Sequence, residues 1–172
     1  MIVLEPVRSG DDAPDISRLR RLYGRYPTGV AALCALREGV PVGIVATSFT
    51  PVSMDPALVS ICVQHTSTTW PVLSSGEHLG ISVLSSEHQT ASRQLSAKDT
   101  DRFKGLSWFA SDSDAVFLED AAAWFDCSIS SSIPAGDHDV VILQVNLAAI
   151  DESSTPLIFH DSGYRTLLSV DE

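Results

Sequence analysis

The small hydroxyl residues of this chain collect in two stretches beside apolar runs, "VATSFTPVSMDP" at 45–56 and "HTSTTW" at 65–70. In the first, Thr47, Ser48 and Ser53 interrupt strand-forming residues. In the second, Ser67, Thr68 and Thr69 stand where a strand gives way to a helix. Backbone N–H groups and hydroxyls at such a junction can hold a phosphate with little positive charge. The same hydroxyls suit a chain that caps a helix and faces water, so the pattern alone leaves both readings open. His138 follows the tight turn "PAGD" and is either a surface turn histidine or a group offered to a ligand. Arg102 and Lys104 flank Phe103 and either meet a phosphate or solvate a loop.

Other chemistries leave no trace. There is no G-x-G-x-x-G, no G-x-x-x-x-G-K-[ST], no G-x-S-x-G and no H-E-x-x-H. Serine, histidine and aspartate occur without a spacing that singles out a triad, and the carboxylates form no evident acid/base pair. Cys34, Cys62 and Cys127 are far apart, odd in number and set in apolar runs, which reads as buried thiols rather than disulfides or a zinc site. No metal is expected. His65, His78, His88 and His160 carry no pattern, and Trp70 and Trp124 read as core or interface residues. With 22 acidic against 11 basic residues the net charge is −11, which disfavours nucleic acid and anionic membranes. No apolar run approaches about 18 residues, so a soluble, cytoplasmic protein is expected.

The elements that must position these residues are mostly strands. At 172 residues with 44% hydrophobic and 19% charged content, the chain predicts one globular domain over 15–172 behind a flexible tail over 1–14. "DISRLRRLYGRY" has helical spacing from Asp15 or Ser17 as cap, ended by "PTG". "VAALCAL" and "VPVGIVATSF" flank "REG" as a hairpin, and "ALVSICVQ" (57–64) is a central strand. A short helix over 69–78, a strand over 79–85, a helix over 86–97 capped by Ser86, a polar loop through 98–115 and strands over 121–133 and 138–150 follow; "PLIFH" and "GYRTLL" close the chain. This predicts a mainly β fold, a closed antiparallel barrel with a few short helices.

The order of "RYPTGV", "PVGIVATSFTPVSMDP", "LVSICV", "STTW", "DRFKG", "AWFDC", "AGDH" and "GYR" resembles the short-chain flavin reductase family over about residues 17–167. These are the reductase partners of two-component flavin-dependent monooxygenases. The resemblance implies an FMN-binding split β-barrel with flavin at a homodimer interface, FMN (FAD in some members) as ligand, and NADH or NADPH as electron donor. It assigns the flavin ring to positions matching Gly43, Ile44, Val45, Thr47 and Ser48, with Ser53 at a further motif position. Cys62 and Val63 match strand residues that meet flavin through the backbone, and Ser67, Thr68 and Thr69 match the phosphate and ribityl turn. Phe103 matches a residue covering the flavin, His138 the histidine near the nicotinamide, and Tyr164 and Arg165 the segment near the dinucleotide. The chain departs from the family at Gln94, where an arginine often helps bind phosphate, at Leu143 in place of glycine, and at Ala57 in place of proline. These departures bear on phosphate affinity, FMN-versus-FAD preference and nicotinamide access.

Hydride transfer from a nicotinamide to flavin N5 needs stacked rings and excluded water rather than a protein nucleophile. It also needs donors toward N1 and O2, where negative charge grows, which backbone N–H groups along 43–48 can supply. Two alternatives stand beside a reductase that releases flavin: a split barrel that keeps its flavin and acts on another small molecule, and a binding module without turnover.

Overall fold

The computed structural model describes residues 2–4, 6–7, 15–98 and 100–168, so part of the expected tail over 1–14 lies outside the described residues. Helix α1 (Ile16–Tyr23) begins where the Asp15 carboxylate accepts the Arg18 N–H at 3.0 Å, and none of its residues is buried. After the short β1 (Thr28–Gly29), strands β2 (Ala31–Arg37) and β3 (Val40–Ala46) form the expected hairpin. Its two-residue turn holds Glu38 at φ 53° and Gly39 at φ 76°, the left-handed pair that matches strand twist.

The chain then differs from a single long strand. It leaves β3 at Ala46, crosses through residues 47–49, and starts β4 (Thr50–Met54), which turns at a cis Asp55–Pro56 bond into β5 (Ala57–Gln64). The expected helix over 69–78 is one turn, α2 (Trp70–Leu73), followed by β6 (His78–Val83). Ser85, rather than Ser86, precedes the next helical segment and bonds the His88 ring through Oγ at 2.7 Å. A 3₁₀ turn (Ser86–His88) leads into α3 (Gln89–Leu95). The polar stretch expected as loop contains β7 (Trp108–Ala110) and the start of β8 (Ala115–Leu118). Two long strands, β9 (Ala123–Ala135) and β10 (His138–Ile150), and the short β11 (Ile158–His160) and β12 (Gly163–Arg165) complete the chain. The fold is mainly β with a few short helices, and among the described residues no helix is long and apolar enough to cross a membrane.

One nine-stranded antiparallel sheet runs β4-β5-β10-β9-β6-β2-β8-β7, with β3 on the other edge of β2, while β1, β11 and β12 form a small sheet of their own. The described pairings do not close into a ring: β3 lies at one end and β4 at the other. The expected backbone closure is therefore not seen, and a side chain spans the gap. Ser48 Oγ accepts the Cys62 N–H at 2.9 Å and donates to the Cys62 carbonyl at 3.3 Å.

Strand β2 is buried on both faces, as a central strand must be. Ala31, Leu33 and Ala35 face one apolar cluster with Ile61, Leu79, Ile81 and Leu143, while Ala32 and Cys34 face a second with Leu95, Val116 and Leu118. Leu143, the departure from a family glycine, is fully buried in the first cluster. A buried Asp126 on β9 bonds His78 at 2.6 Å and accepts from Ser113 at 2.7 Å, tying β6, β9 and the turn before β8 together.

Candidate functional site

Strand β5 outruns its neighbour. Its ladder with β4 spans Thr50↔Ser60 to Met54↔Ala57, while that with β10 continues to Gln64↔His138. Among the described residues, one edge of β5 beyond Ser60 therefore lacks a strand partner, and so does the outer edge of β3. A cleft of about 750 Å³ lies between these edges, lined by Ile44, Val45 and Ala46 from β3, Thr47 and Ser48 from the crossing, and Cys62, Val63 and Gln64 from β5. The Gly43 carbonyl points away from β2, because it accepts from Arg102 Nη1 at 3.0 Å. The alternation of an antiparallel ladder turns the amide and carbonyl of Val45 the same way. The cleft wall thus offers main-chain groups that the sheet leaves unpaired, and such groups demand a partner.

The turn from β5 into α2 forms one end. Thr66, Ser67, Thr68 and Thr69 line it. Ser67 also braces the start of α2 from three residues upstream, its Oγ accepting the Trp70 N–H at 3.1 Å, so holding the helix and lining the cleft coexist in this residue. Lys98 and Arg102 line the same cleft. The Arg102 guanidinium is fixed by Nε donating to the Ala97 carbonyl at 2.7 Å and Nη1 to Thr69 Oγ1 at 3.0 Å. Gln94 holds this loop, with Nε2 donating to the carbonyls of Arg102 at 3.1 Å and Lys104 at 2.9 Å. Among the described residues of a chain with 22 acidic residues, no carboxylate lines this cleft.

His138 begins β10, lines the cleft, and bonds the Asp137 carboxylate through Nδ1 at 2.8 Å. That hydrogen bond holds the exposed Asp137 carboxyl below the ordinary carboxylate range. Of the remaining sequence-derived candidates, Gly43 sits behind the wall. A Cβ there would lie 2.6 Å from Cys34 Sγ and 3.0 Å from the Phe103 ring, so this glycine permits close packing. Phe103 is buried, edge-on to Trp108 at 6.3 Å, and lines a neighbouring cleft of about 390 Å³ with Gly43, Thr69 and Arg102. Cys34, buried beside Gly43, has its thiol pushed up to about 12 by burial.

Tyr164 lies outside the main cleft. Its hydroxyl bonds Ser92 Oγ at 2.8 Å, Arg93 stands over its ring at 5.3 Å, and it lines a small cleft of about 190 Å³ with Val45, Thr47 and Ser96. Arg165 is exposed and donates to the Tyr164 carbonyl at 2.9 Å. Ser53 pairs with Leu58 inside the β4–β5 hairpin, and neither it nor Arg165 lines the cleft. Lys98 and Gln94 escaped sequence reasoning as working residues. Lys98 has no motif around it, and Gln94 stood only as the loss of an arginine.

A sequence profile of the flavin reductase like domain matches residues 23–168. A curated flavin reductase of Pseudomonas putida is 35% identical over 164 residues, covering 95% of each chain. The reductase subunit HsaB of a flavin-dependent monooxygenase from Rhodococcus jostii is 31% identical over 153 residues, or 89% of this chain and 78% of the relative. Among solved structures, the NADH:FAD oxidoreductase SgcE6 of Streptomyces globisporus C-1027, in complex with NAD and FAD fragments, superposes with a TM-score of 0.85 at 29% identity. That match covers 90% of this chain and 93% of the other.

Proposed function

The chain belongs to the flavin reductase family, and on that footing we propose that it takes electrons from NADH or NADPH into FMN held between β3 and β5, and hands reduced flavin to a separate monooxygenase. FAD is the second candidate flavin. The observation that carries this reading is a cleft of about 750 Å³ with no carboxylate among its described lining residues, in a chain of net charge −11. A phosphorylated, planar ligand needs that charge partition, and the cleft's donors fit it: main-chain amides and hydroxyls on the walls, two cations at one end.

Bound flavin supplies the hydride acceptor, and this chain's residues supply placement. In this reading the Val45 amide and the Thr47 hydroxyl face the ring edge, where charge grows on reduction, while Ser48 holds the Cys62 backbone and the Cys62–Val63 segment forms the opposite wall. Ser67, Thr68 and Thr69, with Lys98 and Arg102, take the phosphate. Gly43 and Phe103 shape the wall from behind. His138 orients the nicotinamide amide, with Asp137 fixing its ring. Tyr164 bounds the donor's approach, and Arg165 and Ser53 meet ligand only where a second subunit covers the cleft. A homodimer is part of the reading, supported by apolar side chains that stand exposed on β4 and β10, among them Met54, Leu147 and Ile150. The Ser48–Cys62 link serves as the seam of the split barrel.

The test is oxidation of NADH and NADPH by purified protein with FMN, FAD, riboflavin or no flavin. Oxidation is expected only with flavin present. Turnover that requires a different acceptor, or flavin binding without any oxidation, overturns the reading.

A further inference from the structure

Arg37 closes β2 on the same face as Ala31, Leu33 and Ala35, because side chains alternate along a strand. Its stem therefore leaves the first apolar cluster at the rim, beside α2, which buries Leu73 in that cluster. The guanidinium directs its donors at main-chain carbonyls. Nη1 donates to Leu36 at 2.7 Å, Nε to Val72 at 3.3 Å, and Nη2 to Leu73 and, at 3.1 Å, to His78. Three of these four carbonyls lie between α2 and the start of β6. Among the described residues Arg37 has no carboxylate partner. Gly76 lies against the guanidinium, and a Cβ there would stand 2.6 Å from Cζ.

A rigid fork of five N–H donors with no acceptor suits several carbonyls that converge on one point. Residues 65–77 belong to no strand, and α2 is a single turn. A helix that short does not hold itself in water, and the carbonyls at its end lack intrahelical partners. Its placement must come from outside, and an arginine stands at each end. At the start, Arg102 Nη1 donates to Thr69 Oγ1 at 3.0 Å. At the end, Arg37 holds Val72 and Leu73. One backbone bond joins the two grips, from the Leu73 N–H to the Thr69 carbonyl at 3.0 Å. The two residues are four apart, about 6 Å along a helix. Arg37 does not line the main cleft, whereas Ser67, Thr68 and Thr69 do. It therefore acts on that cleft only through the backbone it clamps.

We propose that Arg37 is a positioning residue for the flavin phosphate: by clamping the end of α2 to β2 it sets the turn over 67–69 in the geometry that FMN uses. This rests on the reading that this turn, with Lys98 and Arg102, takes the phosphate. Arg37 itself touches no ligand. An arginine that served the fold alone would add stability without favouring a phosphorylated flavin over an unphosphorylated one.

The test measures Kd for FMN and for riboflavin by fluorescence quenching, on the full chain carrying Arg37→Met or Gly76→Ala. The first keeps an unbranched stem and removes every donor. The second keeps the arginine and displaces its guanidinium, the free end of a flexible side chain, from the carbonyls. Each should raise the FMN Kd at least fivefold and change the riboflavin Kd less than twofold. Urea unfolding reads the stability of each variant separately. A lowered urea midpoint with FMN and riboflavin weakened alike, or with neither weakened, would overturn the proposal. Should Arg37→Met not fold, Gly76→Ala decides alone. Arg102→Ala is the reference. If it leaves FMN binding unchanged, the phosphate reading falls and this proposal with it. If it weakens FMN while Arg37→Met and Gly76→Ala do not, this proposal alone falls.

Discussion

Replacing Gln94 by alanine should separate FMN from riboflavin. One side-chain amide holds the carbonyls of Arg102 and Lys104, at 3.1 and 2.9 Å, and so staples the loop on both sides of Phe103. Arg102, held by that loop, uses Nε on Ala97 and Nη1 on Gly43 and Thr69. Its Nη2 makes no hydrogen bond among the described residues, which leaves it for the cleft. A neutral hydrogen bond is worth about 0.5–1.5 kcal/mol net, so losing two removes about 1–3 kcal/mol of loop order. FMN must restore that order to use Arg102. At 1.4 kcal/mol per decade, its Kd rises about 5- to 150-fold. The Lys104 bond is exposed to water, which puts the expectation near the lower end, about tenfold. Riboflavin has no phosphate and should change less than twofold. Fluorescence-quenching titrations of both flavins measure this directly, with Arg102→Ala as the reference for loss of the cation itself. Equal weakening of FMN and riboflavin would refute the argument. So would an FMN Kd within twofold of wild type for Gln94→Ala when Arg102→Ala raises it.

Three further outcomes are expected. His138→Ala should lower kcat about 10- to 100-fold through misplacement of the nicotinamide, while the FMN Kd stays within twofold; unchanged steady-state turnover would dismiss its role. Gly43→Ala places a methyl 2.6 Å from Cys34 Sγ and 3.0 Å from the Phe103 ring, an overpacking that costs about 1–3 kcal/mol. Urea unfolding reads this, and an unmoved midpoint contradicts the packing account. At Asp126, burial works to raise the carboxyl, but hydrogen bonds from His78 and Ser113 and the charge of His78 outweigh it and hold the carboxyl below 3.8. A group depressed on folding adds stability that is present above its unfolded value and lost as pH falls through its folded value. Wild-type stability should therefore drop with pH below about 3.8, and Asp126→Asn should be less stable at pH 7 with a shallower loss in acid. Parallel acid-unfolding curves would exclude this contribution.

Much of the scaffold was legible because its signals are local. The turn at Glu38–Gly39 announces the β2–β3 hairpin, and the hydroxyls of 47–48 and 67–69 stand together before any fold is known. The site itself is not local. It exists because β5 continues past β4 while β3 stays at the far end of the ladder, and strand lengths relative to distant partners leave no mark within a short window. The same reason hid β8. "AVFL" is too short for its period to be read, and its four residues are buried because they pair with Cys34 and Ala35 on β2. Ser53 drew attention as a hydroxyl in the right motif, but the β4–β5 hairpin absorbs it. Gln94 was read as an absence, since nothing in the sequence places residue 94 against the backbone of 102–104.

Unpaired strand edges are usually a hazard, because they recruit other strands. Here both edges are partly stoppered by side chains: Arg102 takes the Gly43 carbonyl on β3, and Ser48 takes both backbone groups of Cys62 on β5. Neither stopper completes a ladder. What remains is a short row of directed amides and carbonyls, spaced by the pleat and held rigid by the sheet behind it. On the proposed reading such a row would meet the polar edge of a planar ring through the backbone, an arrangement that tolerates wide change in side chains. The chain carries a net charge of −11, yet no described residue lining the main cleft is a carboxylate. At physiological ionic strength charges beyond about 8 Å are largely screened. On the proposed reading, a phosphate in contact with Arg102 and Lys98 would respond to those two cations far more than to the acidic exterior, which would let an acidic chain take an anionic ligand.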